Sequence, residues 1–410
     1  MAQSANLIGL DAIPSHVPPE MVGSFTLRDI MGPDAHRVVA DLHKGPPIFY
    51  TPKFHIPRQP GGAWVPIKAK DIRAVLLDAV TFGSKGTSKF SEVIGEDWDL
   101  IPLEADPPAH SKYRKLVAPI FGSSRINKLE KKVRARAIRM IDQFAGQGEV
   151  EFTEAFTKPF PAGIFLDMFG LPEENAPTFV KWANTIITSS NREALVSTLR
   201  AVVQFLKDRI EERRLEPSDD LISLAVTAQV DGESLNPNEV LGLCTLLFNA
   251  GLDTVGSSLG LHFKHLAEHP EDQQLLRDNP ELIPNAVDEM FRAYGVVNST
   301  RIARRDVEIA GAQIKKGDRI TCSAFLSGRD PDEYPEPDHV DFRRRGAGRH
   351  MGFGTGIHLC IGAPLAKREI VIAIEEMLAR VPPFRIADGA KITTHGGGTI
   401  GVNSLPIVWG

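Results

Sequence analysis

The spacing of apolar residues along the chain predicts a mainly helical protein. Apolar positions recur every three or four residues in successive segments that end at Gly, Pro or Asn, which is typical of helices with one buried face. A smaller β region is expected around the turns Gly61-Gly62 and Gly317-Asp318, in residues 47–68 and 306–322. The predicted helices are 71–77, 112–121, 126–144, 162–169, 179–188, 192–214, 219–229, 271–277, 281–294 and 360–380.

One further segment predicts a long central helix. Asn236 supplies an N-cap, a proline and an acidic residue follow it in the first turn, and Pro270 ends the pattern. About 33 residues at 1.5 Å each give a rod of about 50 Å. Because residues 240–261 are apolar on nearly every side, this helix should be buried and cross the centre of the molecule. Its polar interruptions are Asn249, Asp253 and Thr254.

Composition is that of an ordinary globular protein and excludes disorder and coiled coil. The 410 residues are 42% hydrophobic and 24% charged, with a net charge of −5, which argues against binding nucleic acid through its phosphates. The N-terminus lacks a basic segment followed by an apolar one, and we expect no membrane span. The sequence therefore predicts one domain over residues 1–410, located in the cytoplasm.

Cysteine chemistry is confined to one position. Three widely spaced cysteines build neither a disulfide framework nor a Cys-x-x-Cys metal site. Cys360, however, closes a glycine-spaced loop, residues 353–362, at the start of an amphipathic helix, where unpaired N–H groups stabilise a thiolate. Glycines there permit close approach of a flat group. The alternative is a free cysteine that packs as a small hydrophobe.

This loop resembles the haem-binding signature of the cytochrome P450 family, Phe-x-x-Gly-x-x-x-Cys-x-Gly, at every fixed position. The resemblance implies a mainly α fold with a small β region and haem b between the long helix and the cysteine-loop helix. Cys360 would be the axial ligand of the haem iron. Phe353, Gly354 and Gly362 would lie against the haem.

The middle of the long helix carries an acid beside an alcohol, Asp253 and Thr254. The structural alternative is a threonine hydroxyl that bonds back to the carbonyl four residues earlier. The segment resembles the family's oxygen-activating motif, which implies that Thr254 positions water and protonates bound dioxygen. Asp253 would connect it to a proton source in solvent.

Glu289 and Arg292 share one helix face, which taken alone favours an exposed ion pair. In the family such a Glu-x-x-Arg pair is buried and is completed by a later arginine, here Arg344. These residues would stabilise the fold on the haem side rather than catalyse.

Four basic residues are candidates for holding the haem propionates. The segment 106–114 resembles the family's His-x-x-x-Arg segment, which implies His110 and Arg114, and the same comparison gives Arg301 and His358. Taken alone, each residue favours a surface charge, but together with the cysteine-loop motif all four indicate propionate partners, because a buried propionate needs a cationic partner.

Several runs resemble the bacterial camphor 5-monooxygenase and its relatives, for example residues 250–255 and 405–409. Where that enzyme has a tyrosine that holds the substrate ketone, this chain has Trp98, whose indole N–H can only donate. An apolar cage with few polar groups suits an oxygenated monoterpenoid or norisoprenoid, and plain core packing is the alternative. The predicted substrate contacts are Trp98, Leu246, Leu252, Val255, Val297, Thr399 and Phe90.

Electrons must come from a partner, because the chain has no flavin or iron–sulfur motif. The resemblance implies a [2Fe-2S] ferredoxin and its NAD(P)H-dependent reductase, which would dock on a basic cluster made of Arg73, Lys112, Lys115 and residues 343–349. Solvated surface charge is the alternative for each residue. Two rival functions are a haem-binding sensor or carrier without turnover and a Cys-His hydrolase using Cys360 and His358.

Overall fold

The computed structural model describes residues 13–23, 25, 35–52, 61–189 and 191–410, and within them helices dominate, as the apolar spacing predicts. The helices are α1 (Ala35–Lys44), α2 (Ala69–Leu77), α3 (Phe90–Ile94), α4 (Ala109–Val117), α5 (Ser123–Asp142), α6 (Pro159–Met168), α7 (Ala176–Thr188), α8 (Arg192–Leu215), α9 (Leu221–Thr227), α10 (Pro237–Leu252), α11 (Thr254–Glu268), α12 (Pro270–Asp278), α13 (Ile283–Ala293), α14 (Ala324–Gly328) and α15 (Ala363–Arg380).

The β region is built mainly on one mixed five-stranded sheet, with strand order β1-β2-β10-β7-β3. Strands β1 and β2 pair antiparallel as predicted, and the segment 53–60 between them lies outside the described residues. The strands are β1 (Ile48–Thr51), β2 (Ala63–Pro66), β3 (Phe82–Gly83), β4 (Glu149–Glu151), β5 (Gln229–Val230), β6 (Glu233–Ser234), β7 (Asn298–Ala303), β8 (Val307–Ile309), β9 (Ala312–Ile314), β10 (Arg319–Ser323), β11 (Phe384–Ile386), β12 (Thr393–His395), β13 (Gly401–Ser404) and β14 (Pro406–Trp409).

The long central helix begins where the sequence predicts. The Asn236 side chain accepts from the backbone N–H of Glu239, 3.0 Å away, and the Glu239 carboxylate accepts in return from the Asn236 N–H at 2.8 Å. This reciprocal cap pairs two donors that every helix leaves free at its start. The prediction of one continuous helix is wrong at a single residue: α10 ends at Leu252 and α11 starts at Thr254, with Asp253 at φ −111° and ψ −43° between them.

Two apolar clusters form the core, one around the five-stranded sheet, α13 and α15, and one around α7, α8 and α10. The α10–α11 segment belongs to both, since α10 packs in the second cluster and α11 in the first. Among the described residues, Pro237–Glu268 is long and apolar enough to cross a membrane, yet 61% of its most apolar stretch is buried inside the protein. Burial of that kind is what a core helix shows.

Candidate active site

A cavity of about 450 Å³ lies between the junction of α10 and α11 and the loop before α15. Its wall is largely apolar, with polar groups at a few places. Cys360 and Thr254 both line it, from opposite elements. The structure therefore brings a thiol and a hydroxyl that are 106 positions apart in the sequence to one enclosed space.

The cysteine loop presents the thiol at the start of α15. Gly354 and Gly356 both have φ +73°, a conformation that L side chains rarely adopt, and a Cβ on Gly356 would lie 2.7 Å from the Leu76 carbonyl oxygen. The Cys360 N–H donates to the Phe353 carbonyl at 2.9 Å, which closes the loop. Burial raises the pKa of the Cys360 thiol, while the N–H groups of Gly362 and Ala363 and the Arg114 guanidinium lower it. These three donors would stabilise a thiolate.

A cluster of four basic side chains adjoins the same cavity: His110 and Arg114 on α4, Arg301 on β7 and His358 in the loop. The rings of His110 and His358 meet edge to face, with centroids 4.4 Å apart. Within the described part of the chain, Nε2 of both histidines and Nε of Arg301 are buried without a hydrogen-bond partner. Burial and the nearby Arg301 and His110 lower the pKa of His358 to about 3. This concentration of unpaired donors fits an anionic ligand.

These residues fit haem. A flat porphyrin with two propionates needs an iron ligand, a glycine wall and basic partners at one edge. The cavity offers the Cys360 thiol and the four basic side chains, and Gly362 adds the wall. Among the residues that the structure describes, a Cβ on Gly362 would come within 4 Å only of Cys360 Sγ, at 3.8 Å, and Phe121 Cε1, at 4.0 Å, so the glycine keeps open space beside the thiol.

The helix junction places Thr254 on the cavity and Asp253 away from it. The Thr254 hydroxyl donates to the Ala250 carbonyl at 3.2 Å, which is the back-bonding geometry that the sequence left as the structural alternative. Asp253 Oδ2 accepts from the hydroxyls of Thr399, at 3.0 Å, and Ser257, at 3.4 Å. Burial raises the pKa of the Asp253 carboxyl, opposed by the charge of His395 and by these two hydrogen bonds.

Glu289 and Arg292 are both fully buried, 2.8 Å apart, and Arg344 adds a second ion pair to Glu289 at 2.9 Å. The geometry is therefore not that of an exposed pair on a solvated helix face. None of the three lines the cavity.

The structure separates the predicted substrate contacts into two groups. Phe90, Leu246, Val255 and Val297 line the cavity. Trp98, Leu252 and Thr399 do not, contrary to expectation. Their side chains have other partners: the Trp98 indole N–H donates to Glu96 at 2.7 Å, Thr399 binds Asp253, and Leu252 packs in the cluster around α7, α8 and α10.

Sequence reasoning missed one ionisable group on the cavity, Glu369 of α15. It is 3% exposed, and no group in the described residues binds its Oε2. Burial raises the pKa of Glu369 to about 8. An acid at an otherwise apolar, core-facing position of the predicted last helix was the available signal, because such a residue is rarely buried without a reason.

Comparison with known proteins agrees with the geometry. The sequence profile of the Cytochrome P450 family matches residues 187–382. The chain is 40% identical to "Probable cytochrome P450 127A1" of Sinorhizobium fredii over 97% of both chains, and 31% identical to "Mycinamicin IV hydroxylase/epoxidase" of Micromonospora griseorubida, covering 85% of this chain and 89% of that one. Its fold is similar to the crystal structures of CYP101C1 (31% identity) and CYP101J2 (30% identity), each with a TM-score of 0.86 over 97% of this chain and 100% of the other. The chain belongs to the cytochrome P450 family.

Proposed function

We propose that this P450 monooxygenase hydroxylates an unactivated C–H bond of a small, apolar, oxygenated substrate. The single observation that carries the substrate class is the cavity wall beside Thr254, where Phe90, Leu246, Val255 and Val297 supply apolar surface and Ser299 supplies a hydroxyl. Such a wall favours compact molecules that need few hydrogen bonds. We infer a monoterpenoid of the cineole or camphor type, or a norisoprenoid of the ionone type.

Haem b, the family's cofactor, supplies an iron that activates dioxygen when bound. Cys360 would ligate that iron as a thiolate, supported by the N–H groups of Gly362 and Ala363. Arg114 and Arg301 would neutralise the propionates, and His110 and His358 would donate hydrogen bonds to them. All four side chains line the cavity, and among the described residues Nε2 of both histidines and Nε of Arg301 have no partner.

Thr254 and Asp253 would supply protons to the oxygen side of the cavity. Thr254 lines the cavity and its hydroxyl can pass a proton, and burial raises the pKa of the adjacent Asp253 carboxyl, which favours the protonated form that can donate. The apolar walls exclude bulk water, so protons reach the oxygen mainly through these side chains.

Electrons would come from a [2Fe-2S] ferredoxin and its NAD(P)H-dependent reductase. In the basic cluster defined above, Lys115 and Arg343 are exposed, while Arg73 is paired with Glu333 at 3.1 Å and Lys112 with Asp231. Lys115 is an exposed cation on α4, the helix that also carries Arg114, and such exposed positive charge suits a small acidic partner.

Camphor, 1,8-cineole and β-ionone are the probes for the test. We expect at least one to shift the haem spectrum from low to high spin and to be hydroxylated with NADH, a ferredoxin and its reductase. Cys360→Ser should lose the red-shifted carbon monoxide band. A band that persists in this variant would refute the ligand assignment. Failure of all three probes to bind and react would refute the substrate class, and haem-loaded protein that neither consumes NADH in response to any substrate nor forms product would favour a sensor or carrier.

A further inference from the structure

A half-buried histidine, His395, lies near Asp253 and has no role in the site as described above. His395 ends strand β12, and its Nδ1 lies 2.8 Å from the Asn403 amide oxygen on β13. An amide oxygen only accepts, so Nδ1 carries the proton and Nε2 has a free lone pair. That Nε2 atom is buried and finds no hydrogen-bond partner among the residues the structure describes, although the residue as a whole is only half-buried.

Gly401 lets this imidazole approach the Asp253 site. A Cβ on Gly401 would lie 2.7 Å from Ser257 Oγ, 2.6 Å from His395 Cε1 and 3.1 Å from His395 Nε2. The serine hydroxyl and the imidazole therefore both lie against a position that a side chain would fill, and they are close to each other without being hydrogen-bonded. Ser257 in turn donates to Asp253 Oδ2 at 3.4 Å. Asp253, Ser257 and His395 therefore lie in series from the helix junction to strand β12.

Two further groups in the described residues act on the Asp253 carboxyl, Thr399 and Lys158. Thr399 donates to the same Asp253 oxygen, and Lys158, at the start of α6, contributes positive charge while it pairs with Glu154. Nε2 of His395 has no hydrogen-bond partner among the described residues, and the residue is partly exposed to water. Imidazole is the side chain best suited to exchange protons between pH 5 and 8.

We propose that His395 is the proton-entry residue of this P450, which passes protons from solvent to Asp253 through the Ser257 hydroxyl. When the ring moves within hydrogen-bonding distance of Ser257, the imidazolium gives its Nε2 proton to Ser257 Oγ while the Ser257 hydroxyl proton moves to Asp253 Oδ2. The neutral ring then keeps its Nδ1 proton on Asn403 and takes a new proton from water at Nε2 when it turns outward. This inference rests on the proposed proton-transfer role of Asp253 and Thr254, and it concerns how these two residues receive new protons.

The decisive variant is His395→Gln, with His269→Gln as the matched control, since His269 is exposed and pairs with Glu271. With the terpenoid probe that gives the largest optical shift, His395→Gln should lower product per NADH several-fold and flatten its dependence on pH. His269→Gln should match the wild type. Because relay members act in series, Asp253→Asn/His395→Gln should be no worse than Asp253→Asn alone.

A second readout does not depend on turnover. The infrared C=O stretch of protonated Asp253, identified by its loss in Asp253→Asn, should persist to higher pH in His395→Gln, because the imidazole charge lowers the pKa of Asp253. The proposal would be overturned if His395→Gln left both the pH dependence of the Asp253 infrared band and the product per NADH unchanged. The proposal would also be overturned if Lys158→Gln, and not His395→Gln, lowered product per NADH and shifted the Asp253 band. If wild-type protein failed to hydroxylate any probe, the proposed function would fail, whereas the infrared comparison would still decide whether His395 and Asp253 are linked.

Discussion

The Glu289 carboxylate and the Arg292 guanidinium lie 2.8 Å apart, and neither side chain is exposed. Arg292 also donates to the carbonyl oxygens of Gly328 and Pro337, each at 2.7 Å, while Glu289 accepts from Arg344 at 2.9 Å. Every charge in this group is therefore satisfied, which is the condition for a buried ion pair to be tolerated. The contacts join α13 to α14 and to the chain that leads into the cysteine loop.

Removing one member should destabilise the protein strongly. Glu289→Gln leaves the buried Arg292 guanidinium and the partly buried Arg344 guanidinium without their counter-charge, and removing one partner of a buried pair typically costs about 3–5 kcal/mol. We expect a much lower yield of haem-loaded protein and a lower urea midpoint in whatever folds. Arg343→Gln is the control, since Arg343 is exposed one position away from Arg344. Equal stability of the two variants would show that the cluster does not hold this part of the fold together.

Trp98 should matter for its partners rather than for the substrate. Its indole N–H donates to Glu96, which also binds Lys207 at 2.7 Å. Trp98→Phe keeps the ring but removes a hydrogen bond worth about 1 kcal/mol. The free energy of unfolding should fall modestly. The dissociation constants of the terpenoid probes, from optical titration, should change less than about twofold, because Trp98 does not line the cavity and a tenfold change would need about 1.4 kcal/mol. A large change in probe affinity or in product regiochemistry would return Trp98 to the substrate pocket.

Local sequence signals predicted the helices better than the sheets. The cap at Asn236 and the regular apolar spacing of α5 and α8 are written in neighbouring residues. Strand β7 and the C-terminal strands were not predicted, because their pairing is non-local: β7 lies between β10 and β3, and β14 lies between β11 and β4. The break at Asp253 was equally invisible, since it occurs where side chains from distant segments bind that carboxyl.

The site divides in the same way. Cys360 and Thr254 belong to compact motifs, so the sequence alone identified them as candidates. The hydrogen bond between Thr399 and Asp253 joins residues 146 positions apart. Thr399 was predicted to contact the substrate, but its hydroxyl donates to Asp253 instead. The spacing of residues along the sequence cannot show this contact, because Thr399 reaches Asp253 only when the segment leading into β13 packs against the start of α11.

Thr254→Ala tests the proton-transfer role directly. The variant keeps the apolar wall, so probe affinity should change little, whereas dioxygen should be reduced to hydrogen peroxide without product. Product per NADH should fall by roughly tenfold or more, given that a positioned proton donor contributes about 10²-fold or more. Thr254→Ser retains the hydroxyl and should stay close to the wild type. Equal product and peroxide yields in Thr254→Ala and wild type would remove Thr254 from the proton path.

Charge reversal at Lys115 tests the proposed docking surface. Lys115 is exposed on α4, and Lys115→Glu should slow reduction by the ferredoxin roughly tenfold at low salt, since electrostatic steering changes association rates by about 10–10³. The difference should shrink as salt screens the charges. Lys391→Glu makes the same change in net charge at an exposed lysine outside the basic cluster. Stopped-flow rates that are equal for the two variants would reduce Lys115 to ordinary solvated charge.

Glu369 should make the stability of the protein depend on pH in an unusual direction. Its carboxyl has a pKa raised to about 8 by burial, compared with 4.5 for an ordinary glutamate. Below pH 4.5 both the folded and the unfolded chain hold this proton. As the pH rises from 4.5 to 8, the unfolded chain releases the proton and the folded one keeps it, so the free energy of unfolding falls. Above pH 8 the loss is complete and constant.

Glu369→Gln removes that loss, because the amide is neutral at every pH and similar in shape. Thermal unfolding of the haem-loaded protein should therefore be nearly the same for the variant and the wild type at pH 5. At pH 8 to 9 the variant should be more stable by a few kcal/mol, since one pKa unit corresponds to about 1.4 kcal/mol. Glu375→Gln on the same helix, where the carboxylate is one-third exposed and paired with Arg134 at 2.7 Å, should show no gain that grows with pH. If the curves for Glu369→Gln and wild type run parallel from pH 5 to 9 at equal haem content, the Glu369 carboxyl is ionised in the folded protein and the burial argument for its protonation is wrong.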